Sequence, residues 1–97
     1  LEIEETLYRI SQEALHNVVK HAAARQVRIA LERGGQRVRL RIEDDGKGFD
    51  PDAVPDSHLG IAGMRARAAK IGAQLECRSE PGRGTTIRGT VPVGVGP

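Results

Sequence analysis

The feature that most constrains this fold is a carboxylate at the end of an apolar alternation. Apolar residues occupy every second position from Val38 to Ile42, and the same step of two reaches Asp44. In a β-strand these side chains share one face, which is the face expected to be buried. A buried carboxylate is costly without a partner. Because Gly46 and Gly48 then let the backbone turn or approach a ligand closely, we predict that Asp44 binds the edge of a ligand.

The first part of the chain predicts one long helix over residues 2–23. Apolar or weakly polar side chains recur there at steps of three and four, which form a single stripe at about 100° per residue. The stripe consists of Ile3, Leu7, Ile10, Ala14, Val18 and His21. Beside it run an acid, an amide and an amine, namely Glu13, Asn17 and Lys20. A solvated helix flank explains each of these three, unless another part of the chain supplies a ligand for them.

The rest of the chain predicts four strands and a second helix. The strands cover residues 26–32, 37–44, 74–79 and 85–93, and the helix covers residues 61–71. In the first strand, Val27, Ile29 and Leu31 should face inward. An aperiodic loop over residues 46–60 is long for so small a domain, which favours a functional role. The second helix begins at Gly60 and Gly63, where free backbone N–H groups can bind an anion.

Charge and composition argue against several classes of function. The net charge of +2 is too small to indicate nucleic-acid binding, and two aromatic residues provide no stacking platform for bases. A row of outward arginines (Arg37, Arg39 and Arg41) leaves a basic nucleic-acid-binding module as an alternative, although no second basic element joins it. A single cysteine excludes an internal disulfide and a multi-cysteine zinc site. No histidine pair has metal-ligand spacing, and no serine or cysteine lies in a nucleophile context.

Four ligand-suited segments follow one another along the chain: residues 13–22 (EALHNVVKHA), 44–48 (DDGKG), 60–64 (GIAGM) and 82–85 (GRGT). Each alone is a weak signal, but the ordered set is much more specific. It resembles the N box and the three glycine boxes of the ATP-binding domain shared by sensor histidine kinases, Hsp90-type chaperones, MutL and type II topoisomerases. Residues 12–15 (QEAL) and the short loop into residues 60–67 also look like the NarX/DesK-like sensor kinases of two-component signalling.

The resemblance implies a fold and a domain organisation. Residues 1–97 are expected to form one α+β two-layer sandwich of the Bergerat ATP-binding type, with a mixed sheet of four to five strands covered on one face by helices. The pattern gives four strands where the family has five, so an N-terminal strand is expected to be missing from this fragment. The phenylalanine motif of many kinase lids is also absent, since Phe49 is the only phenylalanine.

The resemblance also implies a role for each matching residue. Asp44 would accept a hydrogen bond from the adenine amino group, and Gly48 would let the backbone approach the base. Asn17 would ligate Mg²⁺ through its amide oxygen, and Lys20 would pair with phosphate charge. Glu13 would orient or deprotonate the nucleophile. The remaining nucleotide contacts are assigned to His21, Gly46, Gly60, Ile61, Gly63, Met64 and Thr85.

The implied activity is that of a protein-histidine kinase that binds Mg-ATP and donates the γ-phosphoryl group to a histidine on a dimerisation domain absent here. None of His16, His21 and His58 lies in the acceptor motif, so the fragment should bind Mg-ATP without autophosphorylating. The expected partners are that dimerisation and phosphoacceptor domain and a downstream response regulator, with no nucleic acid. The fragment is expected to be monomeric and cytoplasmic, and the parent to be a homodimer that the inner membrane can anchor.

Three alternatives remain open at this point. An anti-sigma-factor serine kinase shares these boxes but phosphorylates a protein serine. A non-catalytic switch of the same fold would bind ATP without transferring phosphate. The basic nucleic-acid-binding module would bind DNA or RNA in a salt-sensitive manner that ATP does not affect. An upstream dimerising helix with a histidine followed by an acidic residue would favour the sensor kinase.

Overall fold

Two helices cover one face of a four-stranded sheet in the computed structural model of the protein, which describes residues 2–53 and 58–93. The helices are α1 (Glu2–Asn17) and α2 (Ile61–Lys70), and the strands are β1 (Val27–Gly34), β2 (Arg37–Asp44), β3 (Gln74–Ser79) and β4 (Thr85–Pro92). The sheet has the order β1-β2-β4-β3, which confirms the predicted α+β two-layer fold. Its three pairings are all antiparallel, whereas the resemblance implied a mixed sheet. Residues 54–57 of the predicted loop lie outside the described residues.

The core lies between the helices and the sheet because each element places its apolar residues on that side. From the helices it takes Leu7, Ile10, Ala14, Ile61, Met64 and Ala68. From the sheet it takes Leu40, Ile42, Leu75, Ile87 and Val91. Strand β2 alternates as predicted, with Leu40 and Ile42 buried and Arg39 and Arg41 exposed. The same alternation brings Asp44, half-buried, to the helix-covered face at the end of the strand.

The first helix extends to Ala22, close to the predicted end, but its last turn is not α-helical. The α-helix ends at Asn17, and a π-helical turn, Val18–Ala22, follows and stops at Ala23 with φ of 50°. The reason is tertiary, because the carbonyl of Ala22 accepts a hydrogen bond from the Lys47 N–H at 2.7 Å. A Cβ on Gly46 would overlap that same carbonyl oxygen. The first glycine box is therefore packed onto the end of the helix, where a π-turn often marks a functional site.

The inner side of β1 is exposed, contrary to the sequence prediction for Val27, Ile29 and Leu31. These residues pair with Asp44, Ile42 and Leu40 of β2 and so lie on the core side of the sheet. Their exposed fractions are nevertheless 39%, 48% and 63%. The cause is the position of the helices, because α1 packs on β2 and α2 packs on β3.

The turn between β1 and β2 is shorter than predicted. The predicted strands, 26–32 and 37–44, left four residues between them, but β1 continues to Gly34, so a two-residue turn joins it to β2.

None of the helices in residues 2–53 and 58–93 combines the length and the apolar character that crossing a membrane requires.

Candidate functional site

A cavity of about 350 Å³ lies between the end of α1, the start of α2 and the sheet. Most of its wall is apolar and comes from Ala14, Val18, Ala22, Ile42, Phe49, Leu59, Ile61, Cys77 and Ile87. Half of the predicted site residues line it, namely Asn17, His21, Asp44, Gly48, Ile61 and Thr85. A largely apolar pocket with a few convergent polar groups is the usual form of a small-molecule site.

Asp44 is held by the turn that follows β2. Its Oδ1 accepts a hydrogen bond from the backbone N–H of Gly46 at 2.8 Å. Within the part of the chain that the structure describes, its other carboxylate oxygen has no hydrogen-bond donor. An ionised carboxylate only accepts hydrogen bonds, so the second oxygen is suited to an N–H group of a ligand. Asp44 therefore lies in the cavity wall, and its ligand-binding role stays a prediction.

Asp45 has a structural role instead. Its Oδ1 accepts hydrogen bonds from the backbone N–H groups of Arg25, at 2.8 Å, and Gln26, at 2.9 Å. The Gln26 N–H contributes most to lowering the pKa of Asp45 below its ordinary value of 3.8, while desolvation opposes the shift. Asp45 is exposed and does not line the cavity. Of the two neighbouring aspartates, Asp44 lines the cavity, whereas Asp45 fixes the backbone that leads into β1.

The first and third glycine boxes pack against each other through their backbones. Gly48 has φ of 62° and Gly84 has φ of 74°, a region that side chains with a Cβ rarely adopt. A Cβ on Gly48 would overlap the carbonyl oxygen of Glu80, and a Cβ on Gly84 would overlap that of Asp44. The protein's own backbone therefore requires glycine at both positions, before any ligand is considered.

Ser79 is a site residue that sequence reasoning did not identify. Its buried Oγ accepts a hydrogen bond from the Phe49 N–H and donates one to the Gly84 carbonyl, each at 2.9 Å. The Thr85 hydroxyl lies 2.8 Å from this oxygen and acts as the donor, because Ser79 has only one hydroxyl proton. One side chain thus joins the residue that follows the first glycine box to the third glycine box and β4. The available signal was a hydroxyl in phase with the apolar side of β3.

Asn17 and Glu13 join α1 to the start of α2. The Asn17 amide nitrogen donates a hydrogen bond to the carbonyl of Leu59. Because the amide nitrogen makes this bond, the amide oxygen of Asn17 is available to bind a hard cation. Leu59 and Gly60 are both left-handed, with φ of 62° and 64°. The Glu13 carboxylate lies directly against Gly60, because a Cβ at that position would overlap it. The acid predicted along one helix edge therefore contacts the second glycine box, and the amide contacts the residue directly before it.

The other half of the predicted site residues lie outside the cavity wall: Glu13, Lys20, Gly46, Gly60, Gly63 and Met64. Met64 is a core residue with 1% exposure. Lys20 and Gly63 are exposed, and there is open space where a Cβ on Gly63 would lie. Lys47 lines the cavity, although the sequence analysis predicted no role for its side chain.

The arginines of β2 lie on the uncovered face of the sheet, as predicted. Arg88 of β4 is paired with Arg41 and extends the row. Carboxylates interrupt it, because Glu43 lies 3.4 Å from Arg41 and Glu32 is paired with Arg39. This mixture of charges is typical of a solvated strand face and is unlike a continuous phosphate-binding track.

Comparison with known families gives a match over almost the whole chain. The model described as histidine kinase-, DNA gyrase B-, and HSP90-like ATPase matches residues 2–95. Among curated proteins, the sensor histidine kinase LiaS of Bacillus subtilis is 42% identical over 94% of this chain and 25% of its own length. The sensor protein VraS of Staphylococcus saprophyticus is 40% identical over 94% of this chain and 26% of its own length. The chain thus spans about a quarter of these relatives.

Solved structures also match most of this chain. The histidine kinase domain of the blue-light activated histidine kinase EL346 of Erythrobacter litoralis matches with a TM-score of 0.71 and 26% identity. The match covers 87% of this chain and 42% of that one. Full-length ShkA in complex with AMPPNP matches with a TM-score of 0.75 and 28% identity, over 90% of this chain and 21% of that one.

Proposed function

The chain belongs to the family of histidine kinase-, DNA gyrase B- and HSP90-like ATPases, and from this premise we propose that it is the catalytic, ATP-binding part of a longer sensor histidine kinase. The observation that carries the proposal is the cavity wall, which unites the N box and the first and third glycine boxes around one space. The second box contributes Ile61 to the same wall.

We assign the adenine base to the apolar part of this cavity. Ile42 and Ile87 come from the sheet and Ala14 from α1, so that a flat heterocycle would lie between the two layers. The carboxylate of Asp44 would accept a hydrogen bond from the exocyclic amino group of the base, which is a donor. Thr85 supports this wall because it is the strand partner of Asp44 and is fixed by Ser79.

The phosphates would extend toward the start of α2, whose N-terminal N–H groups favour an anion. Open space at Gly63 supports this approach, because nothing lies within 4 Å of a Cβ added there, whereas the Glu13 carboxylate borders it at Gly60. Lys20 is proposed to pair with phosphate charge. The amide oxygen of Asn17 is the protein atom suited to Mg²⁺, and that ion would neutralise charge on the transferred phosphoryl group.

Phosphoryl transfer depends mainly on positioning and charge stabilisation. Glu13 is proposed to orient or deprotonate the acceptor, because its carboxylate lies against Gly60, where the phosphates would end. The acceptor would be a histidine of a dimerisation domain elsewhere in the longer protein, and a response regulator would receive the phosphoryl group next. The cytoplasmic location, the membrane anchor of the parent and the NarX/DesK-like subgroup stay predictions.

Labelling the longer protein with ATP that carries a radioactive γ-phosphate tests the proposal. We expect an acid-labile, base-stable phosphate on a histidine outside these 97 residues. Asn17→Ala should abolish the labelling and remove the magnesium dependence of ATP binding, while Gln12→Ala on the exposed flank of α1 serves as the control. A magnesium titration that Asn17→Ala leaves unchanged would reject the metal role.

The same labelling separates the alternatives. A base-labile, acid-stable phosphate on a separate protein would indicate the serine kinase. Tight ATP binding without any labelled protein would indicate a non-catalytic switch. Salt-sensitive binding of DNA or RNA that ATP does not alter would indicate the nucleic-acid module.

A further inference from the structure

The hydroxyl of Ser79 uses its full hydrogen-bonding capacity inside the protein. A hydroxyl has one proton and two lone pairs. The Ser79 proton goes to the carbonyl of Gly84 at 2.9 Å, and one lone pair accepts the N–H of Phe49, also at 2.9 Å. The second lone pair accepts the Thr85 hydroxyl at 2.8 Å. The direction of this last bond is therefore fixed, and its proton comes from Thr85.

Thr85 consequently presents only lone pairs to the cavity that it lines. Its single proton is held by Ser79, so the Thr85 oxygen has no proton left for a ligand. Asp44 is the direct strand partner of Thr85 and lines the same cavity, which places their Cβ atoms about 5 Å apart. Among the residues that the structure describes, none donates a hydrogen bond to the second carboxylate oxygen of Asp44. Two hydrogen-bond acceptors thus lie side by side in the cavity wall.

This part of the wall suits a donor on the ligand and opposes an acceptor. The amino group at position 6 of adenine carries two N–H donors. Hypoxanthine and guanine have a carbonyl oxygen at the same position, which would face two acceptors. A buried polar group left without a partner costs free energy, so such a base is disfavoured. A threonine hydroxyl that was free to turn would donate its proton to that oxygen, but the bond to Ser79 prevents this rotation.

We propose that Ser79 is a positioning residue that makes the cavity select 6-amino purines over 6-oxo purines. It acts through Thr85, because Ser79 itself does not line the cavity. By holding the Thr85 proton, it leaves an acceptor beside Asp44 where a donor would otherwise lie. The proposal rests on the proposed function, since it requires a nucleotide whose base lies against Asp44. Ser79 thereby adds a second determinant of base selection to the carboxylate.

Calorimetric titration with ATP and with inosine triphosphate tests the proposal. The two nucleotides differ only in the base, where inosine has a carbonyl oxygen at position 6 and a proton on N1. We expect Ser79→Ala to lower the ratio of the inosine triphosphate dissociation constant to the ATP dissociation constant about tenfold, because the freed Thr85 proton can then pair with the carbonyl oxygen. Thr86→Val is the matched control and should leave the ratio unchanged, because Thr86 is the next residue of β4 and faces the other side of the sheet.

A purely structural role of Ser79 would weaken the binding of both nucleotides equally, so an unchanged ratio in Ser79→Ala would overturn the proposal. Equal affinities of the unsubstituted chain for the two nucleotides would overturn it too, since there would be no selection to explain. A folded chain that binds ATP and fails either comparison contradicts the role of Ser79 alone. A folded chain that binds neither nucleotide contradicts the proposed function and, with it, this role.

Thr85→Val tests whether the effect of Ser79 passes through Thr85. Valine has the shape of threonine without the hydroxyl, so this variant removes the acceptor and should itself lower the ratio. Adding Ser79→Ala to Thr85→Val should lower the ratio no further, and a further decrease would overturn the proposal, because Ser79 would then act by another route. If Ser79→Ala does not fold by circular dichroism, Thr85→Val alone decides the question, and an unchanged ratio in that variant would overturn the proposal.

Discussion

Replacing Gly48 with alanine tests whether backbone packing between the glycine boxes builds the cavity wall. Gly48 has φ of 62°, and this left-handed conformation costs a residue with a Cβ about 1–2 kcal/mol. The new Cβ would also overlap the carbonyl oxygen of Glu80 and stand 2.8 Å from that of Gly84. Both neighbours are backbone atoms that cannot rotate away, and overpacking of this kind costs a further 1–3 kcal/mol, roughly.

Gly72 provides a matched control for the conformational part of this cost. Its φ is 71°, but nothing lies within 4 Å of an added Cβ. Gly72→Ala should therefore lower the free energy of unfolding by only about 1–2 kcal/mol. The additional steric cost at Gly48, about 2 kcal/mol, corresponds to a melting temperature roughly 8–16 °C below that of Gly72→Ala.

Thermal unfolding followed by circular dichroism, with and without ATP, provides the measurement. ATP should raise the melting temperature of Gly72→Ala as it does that of the original chain, because a ligand that binds only the folded state stabilises it. The increase should be lost in Gly48→Ala, whose cavity wall must shift. Equal melting temperatures for the two variants would refute the reasoning, since the clash would then have no energetic effect.

Two further substitutions test the contacts around the site. Ser79→Ala removes one buried hydroxyl that serves three partners, so we expect a loss of about 2–4 kcal/mol in urea unfolding. Ser11→Ala is the control, because it removes a single side-chain hydrogen bond within α1, and it should change the free energy of unfolding by less than about 1 kcal/mol. Similar losses of stability in the Ser79 and Ser11 variants would contradict the role of Ser79. Because folding lowers the pKa of Asp45, its ionised carboxylate stabilises the folded state. This stabilisation is fully present above the ordinary pKa of 3.8, and it is lost as the pH falls through the lowered pKa. Asp45→Asn should therefore flatten the acid limb of a pH–stability curve, whereas the exposed control Asp52→Asn should not. Parallel curves for the unsubstituted chain and the two variants would exclude Asp45 as the source of this pH dependence.

The parts of the fold that follow from local patterns were predicted from the sequence. The alternation from Val38 to Asp44 determines both the strand and its buried side, so β2 and the position of Asp44 agree with the structure. The start of α2 also agrees, because Gly60 and the apolar spacing after it are local signals. The ATP-binding family follows from four short segments whose order is informative even though each is common.

The parts that depend on contacts between distant segments were not predicted. The π-turn after Asn17 forms where the first glycine box packs on the helix end, a contact that no helical periodicity contains. The role of Ser79 requires two loops to meet at one hydroxyl. The exposure of Leu31 depends on where the helices lie over the sheet, since its spacing is the same as that of a buried residue.

Isothermal titration calorimetry with ATP tests the central claim most directly. The unsubstituted chain should bind one ATP. Asp52→Ala, which removes one exposed negative charge, is the control and should bind ATP with the same affinity. Asp44→Ala should remain folded and bind about 10–150-fold more weakly, because a hydrogen bond to a charged group contributes roughly 1.5–3 kcal/mol. Wild-type affinity in Asp44→Ala, or no binding by the folded original chain, would contradict the account.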